Sequence, residues 1–529
     1  MADQIKIIDL FSGPGGLGEG FSSFGVGPGA KSPFKIAISI EKEESAHATL
    51  TLRAFYRQFP HGEAPAEYYD FLKGKLGKTP EENLYSDQRF STQVKAAKKE
   101  ARCLTLGEDN AEIYKAIDDA IKGEPCIVIG GPPCQAYSLV GRARRSSEAD
   151  YVAAEDNRNF LYKEYLEILA KYKPVAFVME NVKGMLSAEI NGTRIFDQIL
   201  KDLHDPCKFA GKRGEKYRVF SMVTPPSDNF QPSDYIIRCE NYGIPQARHR
   251  VILLGVQERY ANLFTKDMLL KKKEGPDLLS IIGGLPRLRS GLSKEDDTYE
   301  SWIDAISSLR QDVVKDIGKI KTLGVNAETL NNNIGSAIDN LELTPDYRGN
   351  NFSQINYSTS IFEGMSKPLA KWYKDPSGKS LVCNHETRGH IKDDLRRYLF
   401  ASAWAESAKD EERSFPRSDD YPKALWPKHK NFHSGVFSDR FRVQVKDRYA
   451  TTVTSHISKD GHYFIHYDSS QCRSLTVREA ARIQTFPDNY FFVGNRTQQY
   501  VQVGNAVPPL LAEKIAELVN KLLEAASKA

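Results

Sequence analysis

The chain opens on a run of β-branched and apolar residues, Ile5 to Phe11 (IKIIDLF), that breaks into the glycine-rich stretch SGPGGLGEGF. That order predicts a strand, a glycine turn and a helix start. Short apolar runs recur at Phe34 to Glu41 (FKIAISIE), 126 to 131 (CIVIGG), 175 to 181 (VAFVMEN) and 250 to 256 (RVILLGV). Helix-like text such as FLYKEYLEILAKY, Phe160 to Tyr172, lies between them. Strands alternating with helices predict an α/β fold with a doubly wound, mostly parallel sheet, whose ligands gather outside the carboxyl ends of the strands.

Elsewhere the pattern changes. Between Leu50 and Ala101 the text is polar, Lys-rich and helix-favouring, and predicts an insertion over about 51–101 on the rim of the sheet. After Gly255 the rhythm stops: 257 to about 350 reads as helical and charged, and 351 to about 450 as irregular, rich in aromatic, Arg, His and Pro residues. LTVREAARIQTFP (475–487) and VPPLLAEKIAELVNKLLEAA (507–526) restore helices, the second started by Pro508 and Pro509. The stretch 440–466, RFRVQVKDRYATTVTSHISKDGHYFIH, predicts a β-hairpin, and HETRGHIKDDLRRY (385–398) reads equally as a phosphate-gripping helix or a solvated charged face.

Bulk properties narrow the class. A chain of 529 residues predicts roughly two to four domains, or one large domain with insertions. With 40% hydrophobic and 27% charged residues it reads as soluble and globular, without an apolar stretch long enough for a bilayer. MADQIKIIDLF lacks a secretory pattern, so a cytosolic protein is expected. Seven scattered cysteines show neither a disulfide framework nor zinc spacing, and no metal is expected. A net charge of +4 is too small to announce nucleic acid.

Chemistry concentrates at the predicted strand ends. The glycine turn lacks the Lys-Ser/Thr of a triphosphate loop and suits a smaller adenosine-bearing cofactor, with Glu41, roughly twenty-odd residues on, placed for ribose hydroxyls. In GGPPCQAYSLVGR, Pro132 and Pro133 stiffen the approach to Cys134, which opens a polar loop at a strand exit. A packed structural thiol is the plain alternative to a nucleophile there. Glu180 ends an apolar strand, where an acid is costly without a partner; an N-cap or an ion pair with Lys183 competes with a catalytic role. In QARHR, Arg248 and Arg250 fall on one side of an extended segment and could grip a phosphate, a carboxylate or a base edge, or form a surface ion-pair ladder.

Taken in order, DLFSGPGGLGEGF, GGPPCQAYS, MENV, QARHRV, RSLTVREAARIQTFPDNY and QYVQVGNAVPP resemble the ordered motifs of bacterial DNA (cytosine-5) methyltransferases. The resemblance spans the N-terminal half and the last sixty or so residues. It implies a class I, Rossmann-like catalytic domain over 1–256, a target-recognition region over 257–470 and a returning C-terminal segment over 471–529. It further implies methyl transfer from S-adenosylmethionine to cytosine C5, leaving S-adenosylhomocysteine, with Cys134 as nucleophile, Glu180 on the N3 and amino edge, and Arg250 with Arg248 supporting the acid and the base.

By the same resemblance Phe11 would contact adenine, and the backbone of Gly13, Pro14, Gly15 and Gly16 the methionine end. Glu41 would take the ribose and Asp109, with Glu108 competing, the adenine amino group, while Pro132, Leu161, Asn505 and Val507 complete the pocket. Departures from the family pattern are Tyr137 for phenylalanine, Lys42 where an aromatic can stack on adenine, and Tyr467 for a common proline.

The expected partner is duplex DNA with its target base rotated out. Gln135, Ser138 and the lid arginines Arg142, Arg144 and Arg145 would meet the DNA. Arg442, Thr452, Thr454, Ser455 and His456 are the residues expected in the major groove. A monomer in the bacterial cytosol or nucleoid is expected, serving a restriction or other defence system with or without a cognate nuclease. RNA methylation, a catalytically idle DNA-binding relative and an unrelated nucleotide-dependent α/β enzyme are the competing readings.

Overall fold

The computed structural model describes residues 4–133, 158–190, 193–227, 230–320, 323–353, 359–408, 413, 415–427 and 440–528. One sheet contains β1 (Ile5–Leu10), β2 (Phe34–Glu41), β3 (Ala101–Cys103), β4 (Cys126–Gly130), β5 (Ala176–Val182), β6 (Tyr217–Phe220), β7 (Ile236–Arg238) and β8 (His249–Gln257). Their order is β3-β2-β1-β4-β5-β8-β6, with β7 paired to the start of β8. The helices that bear on the site are α1 (Gly16–Ser23), α2 (Glu44–Tyr56), α3 (Asn110–Ile121), α4 (Arg158–Tyr172), α5 (Lys392–Ser407), α6 (Val477–Ile483), α7 (Arg496–Asn505) and α8 (Pro509–Ala526).

Strands β1 to β5 run parallel, and the strand order reverses between β1 and β4. The RVILLGV strand is the exception, since β8 lies antiparallel to β5, β6 and β7. The sheet is buried on both faces, which is why its strands read as continuous apolar runs. Ile7, Ile36, Ile127, Ile129 and Ile252 pack toward α1 and α8, while Ile8, Ile38, Val128, Phe177 and Leu253 pack toward α3 and α4.

Helix α8 buries Leu511, Ile515, Leu518, Val519 and Leu522 on the first face. At about 1.5–3 kcal/mol per fully buried aliphatic side chain, this last helix contributes an amount comparable with the net stability of a whole domain. Its approach to α1 is backbone to backbone. A Cβ on Gly16 would lie 2.1 Å from Val507 O, and one on Gly20 would lie 2.4 Å from both Ala512 Cβ and Glu513 N.

The helical segment 51–101 carries a core of its own with distant residues: α2 starts at Glu44, and Phe55, Tyr68, Tyr69 and Phe71 pack with Leu381, Cys383, Phe491 and Val493. Two expectations need correction. The 440–466 hairpin does not form. Ala450–Thr451 pairs in parallel with Gln246–Ala247, and Val443 bridges Ile465 in parallel. Gln444 substitutes for a strand partner: its Oε1 accepts from Thr451 N at 3.0 Å and its Nε2 donates to Tyr463 O at 2.9 Å.

The stretch 385–398 is neither a phosphate grip nor a solvated face. Helix α5 begins only at Lys392 and is buried from Leu395 to Ala405. Arg388 donates to Ile457 O and Lys459 O, and Arg397 to Leu425 O and Asp394, so these cations serve main-chain carbonyls and a neighbouring acid. Among the described residues no helix is long and apolar enough to cross a membrane.

The α1–α8 contact gives a direct test. Gly20→Ala forces a methyl into occupied space and is expected to cost about 1–3 kcal/mol, read as a lower urea midpoint with an unchanged denaturant slope.

Candidate active site at the carboxyl ends of the strands

The parallel strands end along one edge, where Phe11 and Gly13 follow β1, Glu41 ends β2, Pro132 follows β4 and Glu180 lies near the end of β5. After β1 the chain turns sharply: Phe11 has φ 53°, Gly13 φ +56° and Gly15 φ +94°. Ser12 N donates to Ile40 O at 3.1 Å, tying the turn to β2. Glu41, the last residue of β2, accepts from Gly13 N at 2.7 Å and from Glu43 N at 2.8 Å. Burial raises the Glu41 carboxyl above its usual range, against the pull of these backbone donors.

The glycines divide the labour. A Cβ on Gly13 would meet nothing within 4 Å, so this position faces open space, whereas Gly16 is covered by Val507 and Gly18 lies against Asp9. Of the turn residues expected at a cofactor, Gly13 is therefore the one with room beside it, and Gly16 serves helix packing.

At the exit of β4, a Cβ on Gly131 would lie 2.8 Å from Glu180 Oε2. Pro132 O accepts from Asn181 Nδ2 at 3.1 Å, so the MENV strand end braces the Pro-Pro turn that leads into Cys134. Arg250 Nε lies 2.9 Å from Glu180 Oε1, and each of these side chains is 14% exposed. One carboxylate oxygen is thus held by a cation while the other stands over the turn.

Arg248 does not share that role. It is 1% exposed and donates to Val453 O at 2.7 Å and Gly504 O at 3.2 Å. Burial, with Arg250 nearby, pushes its ionisation down to about 9, so it stays cationic at neutral pH. It fastens β8 to the segments after Thr452 and before Asn505.

The remaining candidates are less closely gathered. Asp109 is exposed and its Oδ2 accepts from Thr105 N at 2.8 Å. It is Cys103, paired in register with Glu41, and Leu104, whose N–H donates to Glu41 O at 3.2 Å, that occupy the end of β3. The Cys103 thiol is pushed up by partial burial and by the carboxylates of Glu44, Glu41, Glu43 and Asp109. Leu161 is half-buried beneath the α3 and α4 core, and Asn505 is exposed at the end of α7.

Thr452 donates to Ala247 O, and the Thr454 backbone packs on Gly504. The Arg442 guanidinium lies 4.9 Å from the Phe415 ring centre, Ser455 is half-buried and His456 is exposed. Cys134, Gln135, Ser138, Arg142, Arg144 and Arg145 lie outside the described residues.

Against this geometry, the C-5 cytosine-specific DNA methylase family matches residues 104–521 of the chain. The chain belongs to that family. A Type II methyltransferase of Bacillus paralicheniformis, M.Bpa9945I, is 30% identical and covers 98% of this chain and 99% of its own. M.AgeI of Thalassovita gelatinovora is 26% identical over 97% of this chain and 99% of its own, and the DNA (cytosine-5-)-methyltransferase M.ApeKI of Aeropyrum pernix is 25% identical over 75% and 82%. The sheet of this methylase is mixed and mostly parallel.

Sequence reasoning passed over Asp9, an acid within the first apolar run. Its Oδ1 has no hydrogen-bond partner, and burial raises its ionisation from the ordinary aspartate range to about 8, opposed by the Ser12 side chain and Arg57. The folded methylase therefore keeps a proton that the unfolded chain releases, and Asp9 costs stability increasingly as pH rises from about 4 to about 8. Asp9→Asn removes that burden. Its stability advantage over the parent, measured by urea unfolding, is expected to be larger at pH 8 than at pH 5, and an equal advantage at both would refute the titration.

Proposed function

We propose that this methylase transfers a methyl group from S-adenosylmethionine to C5 of a cytosine rotated out of duplex DNA, through transient bonding of Cys134 to C6. The observation that carries the reading is the Glu180–Arg250 pair beside the Pro132–Pro133 turn, directly before Cys134 and on the same sheet edge as the open Gly13 cradle. Gly13 and Glu41 fit the cofactor: the first leaves the space of a side chain free, and the second presents a carboxylate at its backbone. When bound, the cofactor supplies an electrophilic methyl group on a sulfonium centre.

The chain's residues make the ring receptive. Cytosine C5 is a poor nucleophile; addition of the Cys134 sulfur to C6 places electron density on C5. Glu180 hydrogen-bonds the N3 and amino edge and steadies the charge that develops on the ring, and Arg250 keeps Glu180 in place. Loss of the C5 proton to a base and departure of the sulfur restore the aromatic ring.

The region 257–470 would read the sequence, and 471–529 returns to the catalytic unit of residues 1–256 through α8. The arginines after Cys134 would meet phosphates, and Arg442, Thr452, Thr454, Ser455 and His456 remain the proposed groove contacts. Similarity to Type II methyltransferases supports the modification role of a restriction system, acting on DNA in the bacterial cytosol.

Duplex DNA carrying 5-fluorocytosine blocks the final elimination. With S-adenosylmethionine it is expected to trap a covalent adduct with the parent chain and none with Cys134→Ser. Bisulfite sequencing of DNA from expressing cells would then give the target. Absence of an adduct on any DNA, or methyl incorporation into RNA alone, would overturn the reading. Glu180→Gln is expected to slow single-turnover methylation by about 10²–10⁴-fold.

A further inference from the structure

The Asn489–Tyr490 step of the FPDNY text takes no part in the chemistry above, yet it reaches the proposed cofactor turn from behind. Tyr490 is 1% exposed and its hydroxyl donates to the carbonyl of Pro14. A Cβ on the next residue, Gly15, would meet Leu50 Cδ2 at 2.7 Å and Tyr490 Oη at 2.9 Å. The Pro14–Gly15 peptide is therefore clamped on the side away from the open face of Gly13.

The clamp is itself built in. The Arg53 guanidinium lies 4.3 Å from the Tyr56 ring centre and 4.9 Å from that of Tyr490. It pairs with Glu19 of α1 and donates to Asn489 Oδ1 at 3.1 Å. Asn489 Nδ2 donates in turn to Asp375 Oδ2 at 2.7 Å, and Asp375 Oδ1 accepts from Tyr69 Oη at 3.0 Å. A buried hydrogen-bonded chain thus runs from Asp375 through Asn489 and Arg53 to Glu19 of α1, and the same Arg53 lies against the ring of the tyrosine that holds Pro14.

Packing alone does not account for the hydroxyl, since a phenyl ring would fill the same space. Its particular effect is on the Pro14 carbonyl, within a turn otherwise held by Gly15 N donating to Ser12 O at 2.9 Å and Gly13 N donating to Glu41 at 2.7 Å. Proline fixes its own φ, but Pro14 is flanked by glycines at φ +56° and +94°, whose conformations no side chain restricts.

We infer that Tyr490 is a positioning residue for S-adenosylmethionine. By holding the Pro14 carbonyl it fixes the Gly13–Gly15 turn in the shape that accepts the cofactor, and Asn489 and Asp375 tie that shape to the recognition region. This rests on the reading of the turn as the cofactor site.

The test is calorimetric binding of S-adenosylhomocysteine to the full chain, with duplex binding by the cofactor-free protein measured alongside. Tyr490→Phe is expected to weaken S-adenosylhomocysteine about 3- to 10-fold, the worth of one hydrogen bond, and to leave DNA affinity unchanged. Gly15→Ala, which pushes against the same hydroxyl, is expected to weaken it too, and by a smaller factor in the Tyr490→Phe background. Parent-like binding by Tyr490→Phe, or parallel loss of both ligands, overturns the assignment; should that variant not fold, parent-like binding by Gly15→Ala does so. A parent chain that binds no S-adenosylhomocysteine overturns the cofactor reading instead.

Discussion

The architecture depends on how closely the first and last helices approach. Helix α1 has no side chains at Gly16 and Gly20, where Val507, Ala512 and Glu513 come in at backbone distance. That contact does two things at once. It covers one face of the sheet with the apolar side of α8, and it brings the end of α7 to the turn after β1. That edge of the sheet is consequently assembled from segments far apart in sequence, with residues 257–470 lying between them in the chain.

A second constraint comes from irregular backbone. Where the described backbone of residues 257–490 is irregular, its carbonyls need partners that regular structure would otherwise provide. Buried arginines supply several of them. Arg478 donates to Cys383 O, Pro487 O and Tyr490 O, and Arg482 to Ile281 O and Ile361 O while pairing with Asp488. Arg473 pairs with Glu479 through two hydrogen bonds of 2.7 Å. Burying a guanidinium is costly unless it is paired and hydrogen-bonded; Arg478 and Arg482 join segments far apart in sequence, while Arg473 is paired locally. The LTVREAARIQTFP helix thereby acts as a junction.

These two constraints explain what was legible in the sequence. The sheet strands were, because burial on both faces leaves uninterrupted apolar runs with sharp ends; β2 spans Phe34–Glu41, the same residues as its apolar run. Strand direction was not, because whether a partner lies parallel or antiparallel is a long-range property that a local run does not carry. The supposed hairpin at 440–466 failed for a related reason: Gln444 is polar in composition yet acts structurally as a missing strand neighbour. Arg388 and Arg397 look like solvated charge until their carbonyl partners are known. At the site, the motif residues Glu180 and Arg250 were legible as a pair, whereas Cys103, at the end of a three-residue strand, and Asp9, masked by its apolar neighbours, had no local signal.

The covering of the sheet by α8 also has a consequence for synthesis. The apolar face destined for α8 is complete only after the whole of 257–470 and the α8 residues Leu511 to Leu522 have followed it from the ribosome. Until then the nascent sheet lacks one covering layer and the surroundings of the turn after β1 are incomplete. Every copy that stops before α8 is left unfinished in the same place, and the nascent chain has reason to need shielding from its neighbours while it waits.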